Sequence, residues 1–195
     1  MSLGGPALGS ALALAVGAPP SAGGMFAALG GVIASWAPAN IQVNPGAMTA
    51  ASGAVSGLGS FTVNGEAAEL GALFCDALTI PITATDSRAV WLAVAQAIVD
   101  HLNNFGIANG TGFSSGVPLT GAGTVSFASP VFVPPLALRF TPPVTDPVAA
   151  ALLVLFDTAL IAYLTANASV SAISLSGPAL SAPSDGPVTG SGTIS

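Results

Sequence analysis

The sequence predicts an α+β fold built from three internal repeats. Each repeat contains an apolar helical stretch, an asparagine turn and a Gly/Ser-rich extended stretch that closes on a G-x-G signature. The signature recurs 64 and 69 residues apart, at Gly57, Gly121 and Gly190. A period of this size is typical of chains made from repeated supersecondary units. We therefore predict three units with pseudo-threefold symmetry, each an apolar helix followed by a β-hairpin.

The first 84 residues predict an N-terminal arm, one repeat unit and a connecting helix. Residues 1–24 are small, apolar and interrupted by Gly and Pro, which indicates an arm or a short leading helix. Unit 1 covers residues 25–64, and its helix is expected to end before Pro38, because proline disfavours the α conformation in the residue before it. Residues 65–84 predict a connecting helix with glutamates in its first turn, where the helix dipole favours them.

The second and third units each begin at a capping signal. Unit 2 covers residues 85–127, and Asp86 is the expected N-cap of a helix over residues 88–102. Unit 3 covers residues 145–195, with Asp146 as the cap before Pro147. Residues 128–144 contain five prolines, and each proline removes a ladder donor, so we predict an extended strap that reaches a neighbouring subunit.

The composition indicates a protein that is covered by partners. Hydrophobic residues make up 52% of the chain and charged residues 5%, where a soluble domain has roughly 25%. So apolar a surface predicts contact with other subunits. The net charge is -6 and the only cations are Arg88 and Arg139, so the chain cannot neutralise a run of phosphates, and no nucleic-acid partner is expected.

Membrane insertion is an alternative that the sequence disfavours. Residues 148–166 have roughly the length of a bilayer span, but Asp157 interrupts them and no Lys or Arg flanks them. We therefore expect a buried helix. The N-terminal apolar stretch lacks a positive region, so it is not expected to be an export signal. Cys75 is alone, which excludes an intramolecular disulfide and predicts a small buried side chain.

No catalytic, cofactor-binding or metal-ligating group emerges from the sequence, and we predict that the chain is not an enzyme. His101 beside Asp100 is a candidate general base, but the repeats align it with Ser35 and Tyr163, which favours a polar residue at a helix end. The G-x-G signatures are surrounded by strand patterns, whereas a phosphate loop must open a helix. The carboxylates are dispersed.

Large apolar and aromatic side chains supply the candidate interface. Those on the predicted helices could stack a sugar or a base, but their apolar surroundings favour a core position or a subunit contact. Those on the strap are expected to meet a neighbouring subunit. The predicted interface residues are Trp36, Trp91, Phe132, Leu136, Phe140 and Tyr163.

The tract over residues 91–102, with the asparagines, short β stretch and G-x-G-T closer that follow it, resembles small virion proteins of tailed bacteriophages and related contractile injection particles. The resemblance implies a non-enzymatic part of a head, neck, tail or baseplate, assembled in the host cytoplasm and located in the virion. Its partners would be other structural proteins, with the chain as a homo-oligomer or as a pseudo-threefold monomer on a symmetry axis. A secreted or surface carbohydrate-binding module is the competing hypothesis.

Overall fold

The protein is α+β, as the sequence predicts. A computed structural model describes residues 3–44, 49–51, 54–113, 122–176, 186–187 and 189–194. Within these residues five helices lie beside an antiparallel sheet. The helices are α1 (Gly5–Ala15), α2 (Gly23–Asn40), α3 (Ala67–Ala77), α4 (Thr85–Phe105) and α5 (Pro147–Asn167).

Six of the strands pair in a closed ring. The strands are β1 (Ile41–Asn44), β2 (Thr49–Ala51), β3 (Ala54–Val63), β4 (Gly106–Phe113), β5 (Ala122–Phe127), β6 (Ser169–Ser176), β7 (Gly186–Pro187) and β8 (Thr189–Ile194). Around the ring the order is β1-β8-β6-β5-β4-β3, and β3 pairs again with β1. Every pairing is antiparallel. The short strand β2 pairs with β3 outside the ring, and β7 pairs with β2. The sheet is therefore a small barrel.

The described glycines of the three signatures are strand residues in this barrel. Gly57 pairs with Gly110, and Gly110 pairs with Gly123 on the next strand. An eight-stranded barrel is just wide enough to be filled by side chains, so a six-stranded one needs smaller interior residues. Gly106 shows this crowding, because a Cβ atom there would meet the Phe61 ring and the Leu102 carbonyl.

Three helices pass directly into strands of the barrel. α2 ends at Asn40 before β1, α4 ends at Phe105 before β4, and α5 ends one residue before β6. Near each end an asparagine side chain donates a hydrogen bond to the carbonyl four residues earlier. These bonds are Asn40 to Trp36 at 3.1 Å, Asn104 to Asp100 at 2.8 Å and Asn167 to Tyr163 at 3.0 Å. The asparagines that were predicted to form turns thus lie near helix ends. The chain passes from each of these ends into a strand.

The helices continue further than the sequence patterns predict. α2 includes Pro38, so the predicted end before this proline is wrong. Pro38 lies in the last turn, where the helix loses only one backbone bond and the Asn40 side chain supports the end. Asp86 is not a cap, because α4 begins one residue earlier and Ala84 is its N-cap. Asp146 is confirmed as the cap of α5, since its Oδ1 accepts the Ala149 N–H at 2.8 Å.

The N-terminal segment is a packed helix and not a free arm. Leu8 and Leu12 of α1 are fully buried. The two helices α1 and α2 approach so closely that a Cβ atom at Gly9 or Gly30 would collide with the opposite backbone. The Tyr163 hydroxyl also donates to the Gly4 carbonyl at 3.0 Å, which ties the segment to α5.

The Pro-rich strap lies on its own chain. Phe132 and Leu136 are buried, and a 3₁₀ turn at Leu136–Leu138 packs against α4 and α5. The strap folds back on itself, since the Val144 N–H donates to the Ala137 carbonyl at 2.9 Å. The predicted extended conformation is therefore corrected: the strap covers two helices of this chain with a partly turned backbone.

Candidate functional site

Exposed apolar side chains concentrate at the end of the molecule away from the barrel. The C-terminal ends of α2, α4 and α5 lead into strands of the barrel, so the N-terminal halves of these helices lie at the end of the molecule away from the barrel. We name this region the apolar end, and define it by side chains of the five helices and the α3–α4 turn. Its members are Leu14, Met25, Leu73, Ile82, Val90, Leu92, Val148, Leu152, Val154 and Leu155.

The N-terminal half of α5 is the most apolar part of this end. Val148 is 68% exposed, and Leu152 and Leu155 are 42% and 46% exposed. With the exposed Ala151 they follow the i, i+3, i+4, i+7 spacing of one helix face. From Asp157 onward the helix instead carries core residues. The predicted buried helix is thus buried only in its C-terminal half.

Within the part of the chain that the structure describes, two helices are long and apolar enough to span a bilayer by length and composition. They are Pro20–Asn40, with a mean hydropathy of 1.3, and Pro147–Asn167, with a mean hydropathy of 2.1. Both run directly into barrel strands, and both contribute core residues.

Two open grooves lie between the helices of the apolar end. One has a volume of about 400 Å³ and runs between α3 and α4, with small residues such as Gly71, Ala72 and Ala89 along it. Cys75 lies in its floor, is 1% exposed and carries a free thiol. The other has a volume of about 470 Å³ and lies between α2, the end of α3 and Trp91. Both are lined mainly by apolar side chains.

The predicted interface residues divide into core and surface positions. Trp36, Phe132 and Leu136 are at most 3% exposed, so this chain itself covers them. Phe140, Tyr163 and Trp91 are half-buried, and Trp91 packs against Phe74 with ring centroids 5.7 Å apart. The structure does not bring these six residues together into one surface. The apolar end was missed because exposed and buried leucines look alike in so apolar a sequence.

Two ionisable side chains are buried beneath the strap. His101 is 2% exposed and is surrounded by the rings of Phe105, Phe127 and Phe132, with centroids 5.1 to 5.4 Å away. It is therefore near the C-terminal end of α4, as the sequence predicts, but its side chain is part of the core. Neither ring nitrogen has a well-formed hydrogen bond among the described residues. Burial is the main cause that lowers the pKa of His101 to about 4; the Ser129 backbone opposes this shift, and the charge of Arg139 contributes to it.

Asp157 is the second buried ionisable group. It is 1% exposed, and neither carboxyl oxygen has a well-formed hydrogen bond within the described part of the chain. Burial raises the pKa of Asp157 to about 7, against smaller opposing effects of the Leu136 backbone and of Arg139. At neutral pH this carboxyl is thus partly protonated. The sequence signal for this site is that Asp157 is the one charged residue in the apolar stretch over residues 148–166.

Arg139 connects the strap to α4 through an ion pair with Asp100. Its Nη1 lies 2.6 Å from Asp100 Oδ2, and Gln96 donates to the other Asp100 oxygen at 2.8 Å. Arg139 also donates to the Val133 carbonyl at 3.2 Å and the Pro134 carbonyl at 3.3 Å. The Arg139 side chain thus connects the strap to α4 and also stabilises the turned backbone of the strap itself.

The described residues do not assemble a metal or phosphate site. No three His, Cys, Asp or Glu side chains of the described ranges lie together. Gly57 and Gly59 lie inside β3, and Gly123 lies inside β5, so these signatures open no helix. Gly121 of the second signature lies outside the described residues.

Comparison with known proteins adds no relative. No protein-family model matches the chain, and no significant match was found among curated proteins or solved structures.

Proposed function

We propose that the protein is a non-enzymatic structural component of a phage or phage-like particle that acts through subunit contacts. The observation that carries this proposal is the apolar end, where ten large apolar side chains are between 38% and 83% exposed. Contiguous apolar surface on a protein is typical of a contact with another protein or a membrane. The assignment to a virion rests on the sequence resemblance of the tract over residues 91–102.

We further propose that residues 25–64, 85–127 and 145–195 are equivalent units related by a pseudo-threefold axis. Each contributes a helix that enters the barrel and a pair of strands, and the units follow one another around the ring of pairings. Matching the first buried residue after each helix aligns Ile41, Gly106 and Ala168. Under this alignment Trp36 is equivalent to His101 and Tyr163, one position from the match that the sequences alone suggest.

The charge distribution supports a contact that is apolar and not electrostatic. Arg139 is paired with Asp100 at 2.6 Å, which leaves Arg88 as the described cation without a salt bridge. A surface with so few cations gains little from an anionic membrane or from nucleic acid. Neighbouring protein subunits are the partners that fit this surface.

A membrane-inserted protein is the second candidate, and the two apolar helices of bilayer length favour it. In this alternative the apolar end would enter lipid. The connection of both helices to the barrel argues for a shallow insertion, since the C-terminal half of α5 is part of the core.

The native mass and the location of the protein test the proposed function. We expect the purified chain to form a defined assembly without detergent by light scattering on a sizing column, and labelled antibody to find it in purified particles of its source. Absence from particles, with alkali-resistant association with membranes, would replace the proposal by the membrane alternative. A stable monomer that binds glycans would favour a carbohydrate-binding module.

A further inference from the structure

We propose that the apolar half of α5 in one copy docks into the α3/α4 groove of a second copy. This inference rests on the proposed function and names the partner for one part of the apolar end. The docking face is formed by Val148, Ala151, Leu152 and Leu155, whose spacing places them on one side of the helix. A helix that binds in a groove typically presents anchors at these positions.

The groove has the shape and chemistry that an apolar helix requires. α3 and α4 pack closely, because a Cβ atom at Gly71 would lie 3.1 Å from the Leu92 Cα atom. The side chains along the groove are small, and exposed Ile82 and Leu92 form its apolar rim. A third helix can therefore approach closely and bury its leucine side chains between α3 and α4.

Charge complementarity selects this pair of surfaces. Arg88 lines the groove and has no salt bridge within the described residues, although its Nη1 donates to the Ile80 carbonyl at 3.4 Å. The docking helix begins at the exposed carboxylate of Asp146. A cation beside the groove and an anion at the start of the helix would meet in the docked pair.

The two surfaces belong to different parts of the chain. α5 packs on α1, β5 and the strap, whereas α3 packs on α4 and α2. One copy therefore offers a helix and a free groove at the same time. A contact of this kind is heterologous, and repetition produces a ring where the rotation closes or a filament where it does not.

Two variants that each block one side of the contact test the proposal. Leu152→Glu places a charge on the docking face, and Ala89→Trp fills the groove from an exposed position on α4. We expect each variant alone to be monomeric in sedimentation velocity, with self-association weakened by at least about tenfold. An equimolar mixture should form a heterodimer and stop there, because only one intact helix and one intact groove remain.

Charge reversal and a matched control complete the test. Arg88→Glu should weaken self-association, and Arg88→Glu combined with Asp146→Lys should restore it in part. Leu138→Glu makes the same type of change at a residue of the strap that is 62% exposed, and it should leave the assembly unchanged. Circular dichroism confirms that each variant is folded.

The outcomes separate this contact from the proposed function. Assembly that survives both blocking variants, or a mixture that yields no heterodimer, overturns the docking of α5 into the groove. Wild-type protein that is monomeric at every concentration also overturns docking between copies. Neither result decides whether the chain is found in particles, which the antibody labelling measures separately.

Discussion

At the scale of single residues, His101 and Asp157 have opposite effects on the pH dependence of stability. The carboxyl of Asp157 has its pKa raised from 3.8 to about 7 by burial, so its stabilising contribution is complete below pH 3.8 and is lost as the pH rises to 7. His101 has its pKa lowered from 6.5 to about 4 by burial, so its contribution is complete above pH 6.5 and is lost as the pH falls to 4.

Removal of one of these residues should reveal the pH dependence caused by the other. Between pH 4 and 6.5 the folded state holds one more proton at Asp157 and one fewer at His101, so we expect the free energy of unfolding of the wild type to be nearly constant. Asp157→Asn should make it rise with pH by roughly 1.4 kcal/mol per unit, and His101→Phe should make it fall by a similar amount. Urea denaturation at pH 4.5 and 6.5 measures both slopes. Parallel profiles for all three proteins would contradict the assigned shifts.

At the scale of helices, the packing of α1 on α2 depends on one glycine and not on its neighbour. A Cβ atom at Gly30 would collide with the backbone of Gly5 and Gly9, whereas a Cβ atom at Gly31 has nothing within 4 Å. We therefore expect Gly30→Ala to destabilise the protein by roughly 1–3 kcal/mol through overpacking. Gly31→Ala should stabilise it by up to about 1 kcal/mol, since alanine favours helix. Thermal unfolding compares the two, and equal effects would show that the helices do not approach this closely.

The sequence predicted the type of most elements, because apolar stripes and Gly/Ser-rich stretches differ in period. It predicted helix ends less well. Pro38 signals a helix boundary, but a proline in a last turn costs only one backbone bond, and α2 continues to Asn40. Asp86 resembles a cap as closely as Asp146 does, but α4 begins before it, since the Arg88 N–H donates to the Ala84 carbonyl at 3.0 Å.

At the scale of the whole molecule, the closure of the barrel could not be predicted from the sequence. Val43 of β1 pairs with Gly192 of β8, almost at the other end of the chain. The alternation of side chains indicates a strand but does not name its partner. The position of the apolar end could not be predicted either, because it depends on which halves of the helices remain uncovered in the folded chain. The six predicted interface residues are divided between core and surface because the sequence does not show which side chains the fold covers.

At this scale, two substitutions in α1 distinguish a core helix from an arm that reaches a neighbouring subunit. Leu12 is fully buried and Leu14 is 83% exposed on the same helix. If α1 is part of the core, Leu12→Ala should lower the free energy of unfolding of the monomer by roughly 2–5 kcal/mol, which is a large fraction of a typical domain's stability. Leu14→Ala should change it by less than about 0.5 kcal/mol.

Guanidinium denaturation of both variants measures these values, with Leu152→Glu as the background if the wild type assembles. An arm would give the opposite pattern: Leu12→Ala would leave the monomer unchanged, because nothing within one chain would cover its side chain. The close approach of Gly9 and Gly30 argues against such a loose helix, because separation of α1 from α2 would expose Leu8 and Leu12 together. The burial of Leu12 therefore makes α1 a condition of the fold, and any contribution that α1 makes to assembly must come from its exposed residues, of which Leu14 is the large apolar one.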